Sequence, residues 1–571
     1  MDTGNIRLAA DNVNGVAMSG PAMKKEPKNK MTDSGVEEFN LDGILSELGS
    51  FGKYQLFLLL LLAFRDSFLS MCNFNYVFTA AEVNFRCRIS ECDGNSTVYN
   101  TTWASYALSN VSVCERPSSL GDTSDVCTAK TFSADRMPCE DIIYEDYNSI
   151  VAEFNLGCQP WKRTLIGTVH NLGLVFSFVV SGFISDRYGR KVIIVGTPLM
   201  VAIAGLLKSF ATNYWTLLVL EFLETALGYG NASMVLSLET VSQKSRVAFS
   251  CISDILSTLG GAFFGLIAWK IPYWRHMMWA IYAPLLIVVF YIFLVDEGVR
   301  WLFAHNRKEE AVRILNKVAK INNITLSNTA KEMLAKITEE KAKANEAGPT
   351  QATEASILSA LRSKKMILRI ALIAACSFCC MFVYNGAIIN STNISGSKYL
   401  NYSIMQLVAV PTRVIIAFTL TRFGRKTPIC VAYCFCAMFF IASAFVPKSI
   451  GWTSVLFYLA GKMCSSYGIF SFSVVAMEVF PTTSRNSLTN VSNTVGRLGS
   501  VLAPQTPLLA KYMSGLPSIV FGLVALGPAG LALLLPDTSR CPLPDRVEEA
   551  EKIDEVTNDE TETRVTSVVT A

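Results

Sequence analysis

Twelve apolar runs of about twenty residues, separated mostly by short basic loops, constrain this chain more than any other feature. A hydrocarbon core about 30 Å thick needs about 20 apolar residues per helical span. The runs begin near Tyr54, Ile166, Val192, Trp215, Ala248, His276, Ile367, Tyr402, Thr427, Trp452, Leu488 and Gly515. With 571 residues, 51% hydrophobic and only 17% charged, the chain reads as an all-α integral membrane protein with twelve transmembrane helices in two six-helix halves. The net charge of +4 is small and the basic residues sit in loops rather than along one face, which argues against a nucleic-acid partner. There is no P-loop, nucleophile elbow or metal-spaced His/Cys cluster, and there are three histidines. No enzymatic chemistry, cofactor or metal is expected.

Residues 1–50 are polar and lack the pattern of a cleavable signal, so the first span is expected to act as an uncleaved anchor. DRYGRK (186–191), QKSR (243–246) and RFGRK (422–426) alternate with poorer loops after spans 3, 7, 9 and 11. That bias predicts a multi-pass protein with these loops and both termini in the cytoplasm. The expected organisation is a cytoplasmic segment 1–50, an N-terminal half 51–295, linker helices 296–366, a C-terminal half 367–536 and an acidic, disordered tail 537–571. The loop 79–163, inside the first half, holds Cys87, Cys92, Cys114, Cys127, Cys139 and Cys158 with sequons at Asn95, Asn100 and Asn110. These predict a glycosylated extracellular cap with three disulfides, whose pairing stays open and which could also support self-association. Sequons at Asn390, Asn393 and Asn401 lie too close to the bilayer to be used.

The two halves are related. DRYGRK at 186 recurs as TRFGRK at 421, and Glu239 with Arg246 recurs as Glu478 with Arg485 at the same seven-residue spacing. Parallel repeats meeting at the midplane describe an alternating-access carrier.

SGFISDRYGRK resembles the signature loop between helices 2 and 3 of the major facilitator superfamily. With EFNLGCQPWKR, IPYWR, VRWL and MEVFPTTSRN, residues 38–540 resemble the organic cation, anion and zwitterion transporters of solute carrier family 22, and within it an invertebrate branch for β-alanine, carcinine or carnitine-like compounds. The resemblance implies the major facilitator fold, a plasma-membrane location and a small organic ion as substrate, with a coupling ion left open. Two departures stand out. The usual Pro-Glu-Ser-Pro-Arg-Trp-Leu reads Asp296-Glu297-Gly298-Val299-Arg300-Trp301-Leu302, and the Arg that leads helix 4 in the family is replaced by Glu221-Phe-Leu-Glu224.

Asp186, Arg187, Arg190, Lys191, Glu239, Arg246, Glu297, Arg300, Arg425, Glu478 and Arg485 are expected to form gating contacts that break in one conformation, or simply to set topology. The substrate candidates are fewer. A guanidinium at bilayer depth costs about 2.5 to 3.5 kcal/mol, so Arg497, among Ser492, Asn493, Gly496, Gly499 and Ser500, calls for a reason. In the resemblance, anion and carnitine carriers have Arg there and cation carriers an acid. Arg413 stands where anion carriers have Lys, and Lys462 matches a basic residue found across the branches. Both arginines favour a carboxylate, for which guanidinium offers a planar fork. Glu221 and Glu224, three apart on one helical face, are candidates to hold an ammonium, as are Asp66 beside Arg65 and Asp254. Tyr384, Tyr229, Trp269, Tyr273, Phe470 and Phe472 are candidates for stacking, and Asn73 and Asn75 for amide contacts. A carboxylate-bearing zwitterion or anion is the favoured substrate, a cation or amine the alternative, and a non-transporting receptor a third reading that the retained gating loops disfavour.

Overall fold

The computed structural model describes residues 41–551 except 50, 95–97, 105–112, 120–126, 128–131, 231, 243–244, 329, 332–361, 448–449, 482–484, 537, 539–543 and 545–546. Nine helices among the described residues are long and apolar enough to cross a membrane. The first half contains α1 (Lys53–Asn73, continued by Asn75–Thr79), α2 (Pro160–Tyr188), α3 (Arg190–Lys208), α4 (Tyr214–Gly228, resumed at Ala232–Glu239), α5 (Arg246–Lys270) and α6 (Trp274–Tyr282, extended to Leu294). The second contains α7 (Lys364–Asn390), α8 (Lys398–Leu407, resumed at Ala409–Arg422), α9 (Lys426–Phe445), α10 (Gly451–Val479), α11 (Arg485–Leu502) and α12 (Leu516–Leu531). The three outside the nine are α4, which is broken; α10; and α11, which carries Arg497 and a polar face.

Helix starts fall within a few residues of the apolar runs. The largest miss is α2, which begins at Pro160 rather than near Ile166 because proline suits a first helical turn.

The repeat is visible in the backbone. Both signature loops turn on a glycine with positive φ, +103° at Gly189 and +81° at Gly424, where a side chain would be strained. Each turn then sends an arginine to a carboxylate at the end of the fourth helix of its half. Arg190 meets Glu239 at 3.3 Å, and Arg425 meets Glu478 at 2.7 Å.

Between α1 and α2 lies the cap. Strands β1 (Phe85–Cys87) and β4 (Ile142–Tyr144) pair antiparallel, as do β2 (Glu115–Ser119) and β3 (Phe132–Pro138). Three disulfides join Cys87 to Cys139, Cys92 to Cys127 and Cys114 to Cys158. Inside, Arg86 forks onto Asp93 at 2.9 and 2.7 Å. The cap is fixed to the first half by its own motif residues. Glu153 of EFNLGC accepts from Trp274 Nε1 of IPYWR at 2.5 Å and pairs with Arg275. Asn100 is exposed, and Asn95 and Asn110 lie outside the described residues.

The tail corrects one expectation. Part of the segment read as disordered, Val547–Glu551, is helical, and it docks on the start of α7 through Ser363 to Glu551 and Arg369 to the Ala550 carbonyl.

Candidate functional site

The halves meet firmly at the cap end. Thr164 donates to Gln505 at 2.9 Å, Gln505 donates to Thr168 at 2.6 Å, and Ser403 donates to the Ala262 carbonyl at 2.8 Å. Phe78 packs against Tyr399 and Tyr402 with centroids 5.4 and 5.0 Å apart. A further polar contact between halves is deeper, the ion pair of Arg413 with Asp254. The Arg190–Glu239 and Arg425–Glu478 pairs each stay inside one half.

Below the cap-end contacts lies a cavity of about 310 Å³ walled by α1, α2, α4, α5 and α11. Its wall is polar. Six serines line it (Ser70, Ser233, Ser237, Ser250, Ser253 and Ser257), and Asn73 joins them. Small hydroxyl residues let membrane helices approach and still satisfy water or ligand. Phe178 and Tyr229 are the two aromatic liners, so Trp269, Tyr273, Tyr384, Phe470 and Phe472, expected as stacking residues, are not on this wall. The path of α4 explains how Tyr229 reaches it. At Tyr229 the chain turns extended, and the exposed backbone is held by Ser177, which donates to the Tyr229 carbonyl at 2.7 Å and accepts from its amide at 2.9 Å. Irregular backbone at this depth is tolerated where it lines a cavity. On the far side of the break Gly173 lets α2 close on α4, since a side chain there would strike Thr225.

Arg497 projects into the cavity with its guanidinium 3.4 Å over the Phe178 ring and with no ion pair or hydrogen bond among the described residues. Such stacking is worth about 0.5 to 2 kcal/mol, short of the insertion cost. Arg65, in contrast, is consumed by Asp66, the Ile194 carbonyl at 3.0 Å and Thr197 at 3.0 Å. Asp66 keeps 22% of its side chain exposed and Asp254 41%, so both carboxylates reach the cavity while paired to arginines.

The wall is therefore polarised. The carboxylates come from α1 and α5 of the first half and Arg497 from α11 of the second, while Arg413 of α8 is not on this wall and reaches it only through Asp254. The sequence carries a signal of this: residues 364–536 contain a single acid, Glu478, which Arg425 already holds. The intramembrane cations of that half have no carboxylate of their own.

Four expected substrate contacts move elsewhere. Glu221 and Glu224 are 1% and 0% exposed, turned into the first half rather than the cavity. Lys208 Nζ donates to Glu221 at 2.6 Å and also bonds Glu224, His170 Nδ1 lies 2.6 Å from Glu221, and Tyr282 donates to Glu224 at 2.6 Å. Asn75 is drawn into the same group, donating to Tyr282 at 2.6 Å. Lys462 has no exposed surface. It donates to the Tyr384 carbonyl at 3.0 Å and lies against that ring, so Tyr384 covers it. Arg413 stacks 4.1 Å over Phe470 while it holds Asp254.

The gating candidates divide by contact. Asp186 accepts from Arg190 at 3.0 Å, and Glu297 caps α3 by accepting from the Arg190 and Lys191 amides at 2.7 and 3.2 Å. A carboxylate at a helix N-terminus suits the dipole. Trp301 of VRWL donates to the Asp186 carbonyl at 2.9 Å, next to Arg300. Arg246 donates to the Leu238 carbonyl at 3.2 Å, and Arg187 lies over Tyr188. The side chain of Arg485 lies outside the described residues.

Membrane-length helices in two repeat-related sets, around a cavity that bears charges of both signs, are the arrangement of a membrane carrier of the major facilitator type. The family described as "Sugar (and other) transporter" matches residues 96–543, and the chain belongs to it. Its relatives place it with the organic-ion transporters of solute carrier family 22. It is 29% identical over 530 residues to the organic cation transporter protein of Drosophila melanogaster, spanning 89% of this chain and 94% of that protein. It is 28% identical to solute carrier family 22 member 1 of Bos taurus, over 90% and 93% of the two chains. In fold it is similar to the E. coli xylose transporter XylE in a partially occluded inward-open form, with a TM-score of 0.55, 14% identity, and coverage of 86% and 100%. The chain is a transporter of organic-ion type and not an enzyme.

Proposed function

We propose that this transporter moves small organic ions bearing a carboxylate, foremost β-alanine-like or carnitine-like zwitterions, across the plasma membrane by alternating access. The observation that carries this reading is Arg497, a cavity cation without a polar partner among the described residues, facing a wall that also offers Asp66 and Asp254. A bound carboxylate supplies the charge that Phe178 cannot, and a substrate ammonium fits the acidic side. Disulfides and sequons favour an extracellular cap, and with the basic loops they support a reading in which both termini are cytoplasmic. The contacts at Gln505, Ser403 and Tyr402 then close the outer end, so this conformation faces the cytoplasm.

A second reading, an organic cation or amine carrier, is favoured by the names of the relatives and by the exposure of the two aspartates. Uptake by cells expressing the chain separates the two, with radiolabelled β-alanine, a dicarboxylate and tetraethylammonium as probes. Entry of β-alanine or the dicarboxylate supports the carboxylate reading, and entry of tetraethylammonium alone ends it.

A further inference from the structure

Behind the break in α4, away from the substrate cavity, the buried group around Lys208 has a charge deficit. Glu221 and Glu224 accept bonds from one ammonium, and each takes a further hydrogen bond, Glu221 from His170 and Glu224 from Tyr282. With both carboxylates ionised and His170 neutral, one lysine would leave one negative charge uncompensated, and burying an unpaired charge is costly, so the group favours holding one proton more. With Nδ1–H directed at Glu221, the imidazole turns its Nε2 lone pair inward, and that atom is buried with no hydrogen-bond partner in the structure. Two further buried atoms at the group share that condition, the Tyr229 hydroxyl and Asn75 Oδ1. The remaining groups that face it are accounted for. From α1 come the Cys72 thiol and Tyr76, whose ring lies 5.0 Å from His170 and whose hydroxyl accepts from Asn171 of α2. From α6 comes Tyr282, and from the other half Arg497 lines the cavity that Tyr229 also lines.

We propose that this group is a proton site, with His170 Nε2 as the atom that accepts the proton. A proton from solvent forms an N–H bond on the Nε2 lone pair, the imidazole becomes imidazolium against Glu221, and the group as a whole becomes neutral. Tyr229 belongs to both the group and the cavity wall, with its ring 6.4 Å from His170, so it links the site to the cavity side of the break. Because α4 changes direction at that residue, the charge of the site acts on the segment that lines the cavity. Transport is thereby linked to pH. Lys208 already lies between the carboxylates, which leaves no place for a sodium ion there. The protonation of His170 does not depend on the identity of the substrate, whereas the uptake readout with β-alanine rests on the proposed function.

The chain contains three histidines, His170, His276 and His305, which makes the test direct. Full-length protein labelled with nitrogen-15 in histidine, in lipid nanodiscs, is followed by NMR as pH is lowered. His170→Gln identifies the signal, and gel filtration confirms that the variant folds. The expected result is that the His170 signal passes from the neutral to the doubly protonated form and that replacing sodium by choline at fixed pH leaves it in place. β-alanine uptake by the wild type then changes with pH, by at most about tenfold per unit as a one-proton linkage allows, and that dependence is lost in His170→Gln. A His170 signal that stays in one form over the whole pH range in which the protein remains folded overturns the proposal. A signal that follows sodium instead of pH overturns it as well.

Discussion

Two lysines without exposed surface, one in each half, are kept inside the helix bundle by different means. Lys208 is held by two carboxylates, a phenol and, through Glu221, a histidine, all from its own half. Lys462 has a backbone carbonyl and the face of Tyr384. The difference follows from composition, because the second half holds one acid between 364 and 536 and that acid serves Arg425. The first half sets acids of its own around its buried lysine, and the second carries an excess of positive charge, of which Arg497 faces the cavity. In a carrier for ions, that excess is where an anionic group belongs.

The largest expected effect comes from taking one lysine away at a time. Lys208→Met strands two buried carboxylates and should destabilise the protein by about 3 to 5 kcal/mol, seen as lost yield and a lowered melting temperature in detergent. Lys462→Met strands no acid and should change stability by about 1 kcal/mol or less. Equal losses in the two variants would remove the contrast between the halves. Next in size is the cap. Reducing its three disulfides should cost the cap about 2 to 5 kcal/mol, read as new protease cleavage between 80 and 159, while the helices stay intact by circular dichroism. Smaller still is the bridge between halves, Arg413 with Asp254. The aspartate is 41% exposed, so a double-mutant cycle on transport rate should give a coupling of about 1 kcal/mol, weakening with salt. The smallest difference separates the two signature loops. Arg425 holds Glu478 through Nε and Nη2 at 3.0 and 2.7 Å, whereas Arg190 is shared between Asp186 and Glu239. Arg425→Ala should therefore slow turnover more than Arg190→Ala, by about twofold to fivefold, the size of a partly exposed ion pair.

Much of this was legible in the residue order because it is local or repeated. Apolar runs place helices, glycines 189 and 424 mark equivalent turns, and motifs that look unrelated in sequence prove to be partners, as with Glu153 and Trp274. Arg497 among small polar neighbours was readable as a cavity residue for the same reason. What was not legible depends on how a helix is rotated against its neighbours. Glu221 and Glu224 do share a face, but only the packing of α3 on α4 shows that the face meets Lys208 instead of the cavity. The Arg413–Asp254 pair lies 159 residues apart in sequence and needs both halves assembled. The lone acid of the second half was in plain view, and counting it would have predicted which half supplies the cations.

The central claim is that Arg497 anchors a substrate carboxylate, and initial rates of β-alanine uptake for wild type, Arg497→Lys and Arg497→Ala at matched surface expression test it most directly. Loss of a buried charged partner costs about 2 to 5 kcal/mol, so Arg497→Ala should lower uptake about 30-fold or more, with partial recovery in Arg497→Lys. β-alanine uptake undiminished in Arg497→Ala would contradict the account and make Arg497 a structural residue stacked on Phe178.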